Sequence, residues 1–411
     1  MSDDIERRLQ ATLQHAYANA PELQARLDAA GVRPDDIRSV ADLARIPIRT
    51  KDEIIRLQQE DPPFGGLLAA PSDQIRHIYF SPGPLYEPDI AGEDAAVDVG
   101  MLAFEWSAFT ADDVVLNSLS YHLVPAGMLV DKALTEMGCT VIPGGVGNSD
   151  LQVKMMHELG VTAYAGTPSF LLRLLERAEE MGLEVGRDLK LRKMFGTAEP
   201  FPADLRQIFV ERYKLSVANC YATAELGLLA LDTAGQLAIR LLPEPIIQVV
   251  DPDTGQSVEA GAAGEVVVTN FSHGYPLIRF GTGDLAIHVD PAPGQSRQDQ
   301  RAIILVGRRG EAVKVRGMFV HPNQLRFALD QVVAIQSFQG VVSRAGGQDR
   351  FVLRIAPAEK TAVEQDQAAL VEQIKQSVRN ACRVRLDEVE FVGSGDIPAD
   401  APTVIDQRDW H

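Results

Sequence analysis

Val161-Thr162-Ala163-Tyr164-Ala165-Gly166-Thr167-Pro168-Ser169-Phe170-Leu171 is the stretch on which the reading of the fold turns. Val161–Ala165 reads as a short apolar strand. Gly166 and Thr167 turn the chain, and Pro168 falls in the first turn of a helix, where its missing N–H leaves no bond unmade. The same unit recurs on both sides. Upstream, Asp113–Leu119 is strand-like, Val124–Met137 helical, Cys139–Pro143 a strand and Asp150–Leu159 a helix. Downstream, the helix Pro168–Met181 is followed by a strand (Leu191–Phe195), a helix (Pro202–Tyr213) and a strand (Leu215–Cys220). Such alternation predicts an α/β domain with a mostly parallel, helix-covered sheet.

Farther out the texture changes. Residues 2–30 read as one amphipathic helix stopping at Gly31, and Thr50 as the N-cap of another helix. After residue 226 short strands and turn signals such as Asp251-Pro252-Asp253-Thr254-Gly255 predict a β-rich part, with Pro291–Gln300 as an exposed loop. Gly307-Arg308-Arg309-Gly310 marks a second change. Beyond it a strand, a helix, two strands within Val333–Ile355, a helix (Ala362–Ala381) and a strand (Glu388–Val392) predict a small α/β sandwich. The expected organisation is a large domain over 1–306 (β-rich over 226–306), a hinge at 307–310 and a small mobile domain over 311–411.

Composition narrows the function classes. The chain has 411 residues, 45% of them hydrophobic, and a net charge of −18. No long Lys/Arg run offers a phosphate-backbone surface, so nucleic acid is excluded as an expected partner. Cys139, Cys220 and Cys382 form no C-x-x-C pair and no disulfide framework, which predicts a reducing, cytoplasmic setting. The charged start is unlike a signal peptide. No apolar stretch reaches the ~18 residues that a membrane span requires, so no membrane partner is expected. A homodimer is left open.

Four segments carry a family resemblance: Gly166-Thr167-Pro168-Ser169, Tyr221-Ala222-Thr223-Ala224-Glu225, Arg279-Phe280-Gly281-Thr282-Gly283-Asp284-Leu285, and the run from Gly307-Arg308-Arg309-Gly310 through Val313-Lys314-Val315 to His321-Pro322. In this order they resemble the motifs of adenylate-forming acyl and aryl ligases, and the His–Pro ending most resembles phenylacetate–CoA ligases. The resemblance implies two half-reactions. A carboxylate attacks the α-phosphate of ATP to give an acyl-adenylate, and CoA thiol then displaces AMP. It implies AMP/ATP, Mg and CoA as ligands, with a small-molecule carboxylic acid and CoA or another acyl acceptor as partners. It places Asp284 and Arg308 on the ribose and Tyr221 against adenine, with Ala222, Thr223, Glu199, Pro200 and Lys314 also on the nucleotide side. A two-oxygen acceptor suits a ribose diol, and an aromatic face suits a base. Glu225 is implied as the catalytic acid that helps to hold magnesium. The acyl pocket is implied at Tyr121, Ala126, Gly166, Thr167, Gly196 and Thr197. His122 reads either as a polar pocket residue and general base or as a structural histidine.

Several residues depart from the family pattern. Where a Gly-rich loop ending in Gly-Lys-Pro is usual, this chain has Ser81-Pro82-Gly83-Pro84-Leu85-Tyr86-Glu87-Pro88. Two prolines remove backbone donors, and Glu87 places a negative charge where a lysine is expected. At contact distance that repulsion amounts to several kcal/mol even at an effective dielectric near ~20. Ala224 replaces a hydroxyl residue. Gly310 stands at an aspartate-like hinge position. Ile397-Pro398-Ala399-Asp400-Ala401-Pro402-Thr403 runs into Val404-Ile405-Asp406 without the family's lysine. The expectation is a phenylacetate–CoA-ligase-like enzyme with impaired or altered adenylation. The alternatives are an ATP-independent acyltransferase that uses acyl-CoA or acyl-adenylate, and a non-catalytic nucleotide- or CoA-binding homologue. Arg76, His77, Arg279 and Lys314 are candidates for the missing positive charge.

Overall fold

Pro21 divides the N-terminal segment. Lacking an N–H, it cannot continue a helix but can start one, so the single helix expected over 2–30 is two: α1 (Ser2–Asn19) and α2 (Pro21–Ala29), with Ala20 extended between them. In this computed structural model the chain divides into two compact units. One comprises Met1–Gln248, Val267–Thr282 and Asp290–Ile303; the other comprises Val249–Val266, Gly283–Val289 and Ile304–His411. The described residues are 2–81, 85–309, 313–316, 318–320, 322–330, 332, 335–345, 348–358, 367–382, 384–393, 395–398 and 401–408.

In the first unit α2 is followed by β1 (Arg49–Thr50), α3 (Lys51–Glu60), β2 (Ile75–Ser81), β3 (Leu85–Ile90) and α4 (Ala95–Trp106). The predicted alternation then appears: β4 (Val114–Asn117), α5 (Ala126–Glu136), β5 (Thr140–Pro143), α6 (Ser149–Glu158), β6 (Ala163–Gly166), α7 (Pro168–Glu180), β7 (Lys193–Gly196), α8 (Ala203–Gln207) extended by a π-turn over Ile208–Arg212, and β8 (Ser216–Thr223). β9 (Gly227–Asp232) and β10 (Ile239–Leu241) complete the sheet order β10-β9-β8-β7-β6-β4-β5. The steps from β8 to β5 are parallel, and β9 and β10 run antiparallel. The core lies on both faces. One cluster holds Phe104, Val115, Leu134 and Phe195; the other holds Leu116, Tyr164, Leu171 and Phe209. Within this unit β2 and β3 form a separate antiparallel hairpin with Tyr79 opposite Glu87.

β11 (Ile246–Val250), β12 (Ala263–Thr269), β13 (Phe280–Val289) and β14 (Ala302–Arg308) supply the expected β-rich part, and the division between units passes through each of them. The second unit continues with β15 (Val313–Val315), β16 (Met318–Val320), α9 (Pro322–Asp330), β17 (Ile335–Ala345), β18 (Gln348–Pro357), α10 (Gln367–Cys382), β19 (Glu388–Phe391) and β20 (Val404–Asp406). Its four-stranded sheet has the order β19-β18-β17-β20 and packs over Leu325, Phe351, Ile374 and Val378. Pro82–Pro84 and Gly310, singled out in the sequence, lie outside the described residues, as do Ala399 and Asp400.

Candidate functional site

The first site residue follows from a helix cap. Thr50 Oγ1 accepts the Glu53 N–H at 3.3 Å, and the Glu53 carboxylate accepts the Thr50 N–H at 2.8 Å. This cap makes Lys51 the first residue of α3 and puts Gln58, two turns on, on the same face. Gln58 is buried. Its amide donates to Tyr86 O at 2.8 Å, its carbonyl accepts the Tyr86 N–H at 2.8 Å, and its amide also reaches the Tyr275 hydroxyl at 3.1 Å. β3 is thereby fixed against α3, and strand alternation turns Tyr86 outward and Glu87 inward.

Lys51 Nζ lies 2.6 Å from Glu225 Oε1, in the turn between β8 and β9. Glu87 is 8% exposed, and neither of its oxygens has a hydrogen-bond partner among the described residues. Burial, and then the negative charge of Glu225, push its carboxyl up to about 8. Ser81 and Lys51 pull the other way, although the Ser81 hydroxyl stops short of a hydrogen bond. The ammonium is taken up by Glu225, and Glu87 is left protonated near neutral pH.

Glu87 and Glu225 border a cavity of about 1120 Å³ in the first unit, which Tyr79, Tyr121, Met128 and Tyr275 also line. Asn117 Nδ2 donates to the Tyr121 hydroxyl at 2.8 Å, and that hydroxyl donates to Asp131 at 2.7 Å; burial, and then the bond to Asp131, hold the phenol well above its usual range. The other expected acyl-pocket residues are elsewhere. Ala126 opens α5 against the core. Gly166 ends β6 where a Cβ would meet Ser118 Oγ at 2.0 Å, and Gly196 ends β7 where one would meet Met194 Cε at 2.8 Å. Both glycines serve close packing there. Thr167 caps α7, and the Thr197 hydroxyl donates to Cys220 O at 3.0 Å. His122 is exposed, with its backbone N–H on Ser120 Oγ at 3.1 Å.

Of the expected nucleotide residues, Tyr221 and Ala222 are half-buried on β8 around a register shift, and the Thr223 hydroxyl is buried without a partner among the described residues. The Glu199 carboxylate accepts from the Ser169 N–H at 2.5 Å and from its hydroxyl at 2.8 Å, which holds the first turn of α7; Pro200 is exposed. In the second unit Arg308 Nε lies 3.1 Å from Asp284 Oδ1, so these two predicted residues come together. Gly283, at φ +75°, donates its N–H to Glu265 at 3.1 Å, and Glu265 also faces Arg309 at 3.4 Å. Burial lifts the Glu265 carboxyl above its ordinary range. The Lys314 backbone pairs with Phe319 between β15 and β16.

The proposed substitutes for the missing cation fare unequally. Arg279 is 1% exposed and donates to Leu43 O and Ile46 O, both at 2.9 Å, so it ties the N-terminal segment to β13. His77 pairs with Asp89 at 2.7 Å. Arg76 borders the cavity. Sequence reasoning missed Lys51: its only local signal is the Thr50 cap, and its partner is far along the chain.

A model of the AMP-binding enzyme family matches residues 95–273. Phenylacetate-coenzyme A ligase from Aromatoleum evansii is 28% identical over 77% of this chain and 72% of its own length. Its Escherichia coli (strain K12) counterpart is 26% identical over 95% of this chain and 90% of its own. Among solved structures, an open conformation of 2-hydroxyisobutyryl-CoA ligase, in complex with 2-HIB-AMP and CoA, has a TM-score of 0.84 at 24% identity and covers 98% of this chain and 91% of its own. Apo MatB from Rhodopseudomonas palustris has a TM-score of 0.53 at 16% identity, covering 82% and 67%. Over residues 95–273 the chain matches the AMP-binding enzyme family, and along most of its length it is similar to phenylacetate–CoA ligases.

Proposed function

We propose that this adenylate-forming, CoA-ligase-like enzyme activates a small carboxylic acid as its adenylate and passes the acyl group to CoA or another acceptor, with Lys51 supplying the cation that the loop over 81–88 lacks. The Lys51–Glu225 contact at 2.6 Å, at the edge of the cavity, carries this reading. An ammonium fixed in a partly buried site stabilises charge developing on a transferring phosphoryl group far better than one in water. Asp284 and Arg308 serve the ribose, and Tyr221 the base. Magnesium, kept by one or two carboxylates plus substrate phosphates, would find an oxygen donor in Glu225 and would neutralise phosphate charge there. No group of three ligating side chains stands together among the described residues.

Glu87 favours a second reading. A buried carboxyl beside Glu225 disfavours a polyphosphate, which fits an acyltransferase that starts from acyl-CoA or acyl-adenylate and skips ATP. Pyrophosphate release with ATP, magnesium and a panel of aryl acids separates the two. Steady turnover supports adenylation. No turnover together with calorimetric binding of AMP or CoA supports the acyltransferase. Absence of nucleotide binding removes both.

A further inference from the structure

We propose that Glu87 seats an organic ammonium group, carried by the acid or the acyl acceptor that enters the cavity of the first unit. That the ammonium belongs to a substrate rests on the proposed function; that the cavity binds it does not.

A side chain 8% exposed whose two oxygens have no hydrogen-bond partner among the described residues is expensive to keep unless something else completes it. Its neighbours on the cavity wall have partners, although Glu225 Oε1 meets Lys51 as an ion pair without a hydrogen bond. Glu225 has Lys51, Asp131 has the Tyr121 hydroxyl, and Glu93 accepts from the Ser272 hydroxyl and the Gly274 N–H, each at 2.5 Å. An anionic ligand group beside Glu87 and Glu225 meets repulsion, and a neutral apolar one leaves Glu87 bare. A cation satisfies it.

The surroundings favour an organic cation over a metal ion. No three ligating side chains gather among the described residues, whereas a hard metal ion takes about six oxygens. Tyr79 stands directly across the β2–β3 ladder from Glu87, and Tyr275 and Met128 line the same cavity. Aromatic faces beside a carboxylate suit an ammonium on a carbon frame, and about 1120 Å³ leaves room for one.

Benzylamine, protonated at neutral pH, and the similarly shaped benzyl alcohol serve as probes in calorimetry on the full chain. Benzylammonium is expected to bind at least about tenfold more tightly than the alcohol, as a charge-assisted bond replaces an unpaired acid. Glu87→Gln is expected to abolish the preference. Equal affinities in the wild type overturn the proposal. So does a preference that survives in Glu87→Gln, and so does a Glu87-dependent heat with magnesium chloride alone. Should the variant fail to fold, the wild-type contrast still decides. Flat pyrophosphate release with the ammonium preference intact would remove the proposed function and leave this inference standing.

Discussion

Two carboxylates, Glu87 at the cavity edge of the first unit and Asp284 on β13 in the second, show what sequence departure does to a site. Asp284 keeps the family spelling and has a matched partner. Arg308 lies 3.1 Å away and is 70% exposed, so the pair is weak and easily opened for a ligand. Glu87 departs from that spelling and is buried, unmatched and raised to about 8. The conserved-looking half of the chemistry is electrostatically ordinary. The altered half holds one lysine paired with Glu225 and a second carboxyl that keeps its proton near neutral pH.

Removing that lysine tests the contrast hardest. Lys51→Met leaves two carboxylates without a cation, and kcat/KM for pyrophosphate release is expected to fall by about 10²–10³-fold, as when a fixed transition-state donor is lost. An unchanged rate would show that the cavity edge does not handle phosphate. Asp284→Ala tests the quieter region: calorimetric affinity for AMP is expected to weaken by at least about tenfold, equivalent to ~1.4 kcal/mol. Unaltered affinity would leave Asp284 as a partner for Arg308 and nothing more.

The smallest effect is on stability. The folded Glu87 carboxyl sits near 8 against an ordinary 4.5. Below the lower value both folded and unfolded chains hold the proton. As pH rises between the two, the unfolded chain releases it while the folded chain retains it, so stability is lost, fully so above the upper value. The penalty is on the order of 5 kcal/mol at most. Glu87→Gln is expected to raise the thermal midpoint by a few degrees at about pH 9 and not at about pH 4. An equal shift at both would mean that Glu87 is already neutralised by a partner.

The sequence made the parallel sheet legible because β4 to β8 are short apolar runs punctuated by turns, with Pro168 and Thr50 marking helix starts where they lie. α4 was not foreseen. Ala95-Ala96-Val97-Asp98-Val99-Gly100-Met101-Leu102-Ala103-Phe104 is apolar nearly all round, which flattens helical periodicity. The phosphate-loop position over 81–88 came from the family resemblance, and prolines that break the alternation hid the strand pairing of Leu85–Pro88 with β2. Asp284 was found by motif, and its partner Arg308 by a second motif. No pattern within α3 could announce that Lys51 meets Glu225 or that Gln58 grips Tyr86, since such contacts exist only once the chain has folded. Arg279 looked like a spare charge, but two backbone carbonyls had claimed it.

The grip of Gln58 on Tyr86 has one more effect. β3 belongs to a two-stranded ribbon, and the outer rim of such a ribbon invites strand addition by another chain. By occupying the Tyr86 N–H and C=O together, the amide stands in for one residue of a third strand. A single side chain thus blunts an aggregation-prone edge beside the cavity without closing it.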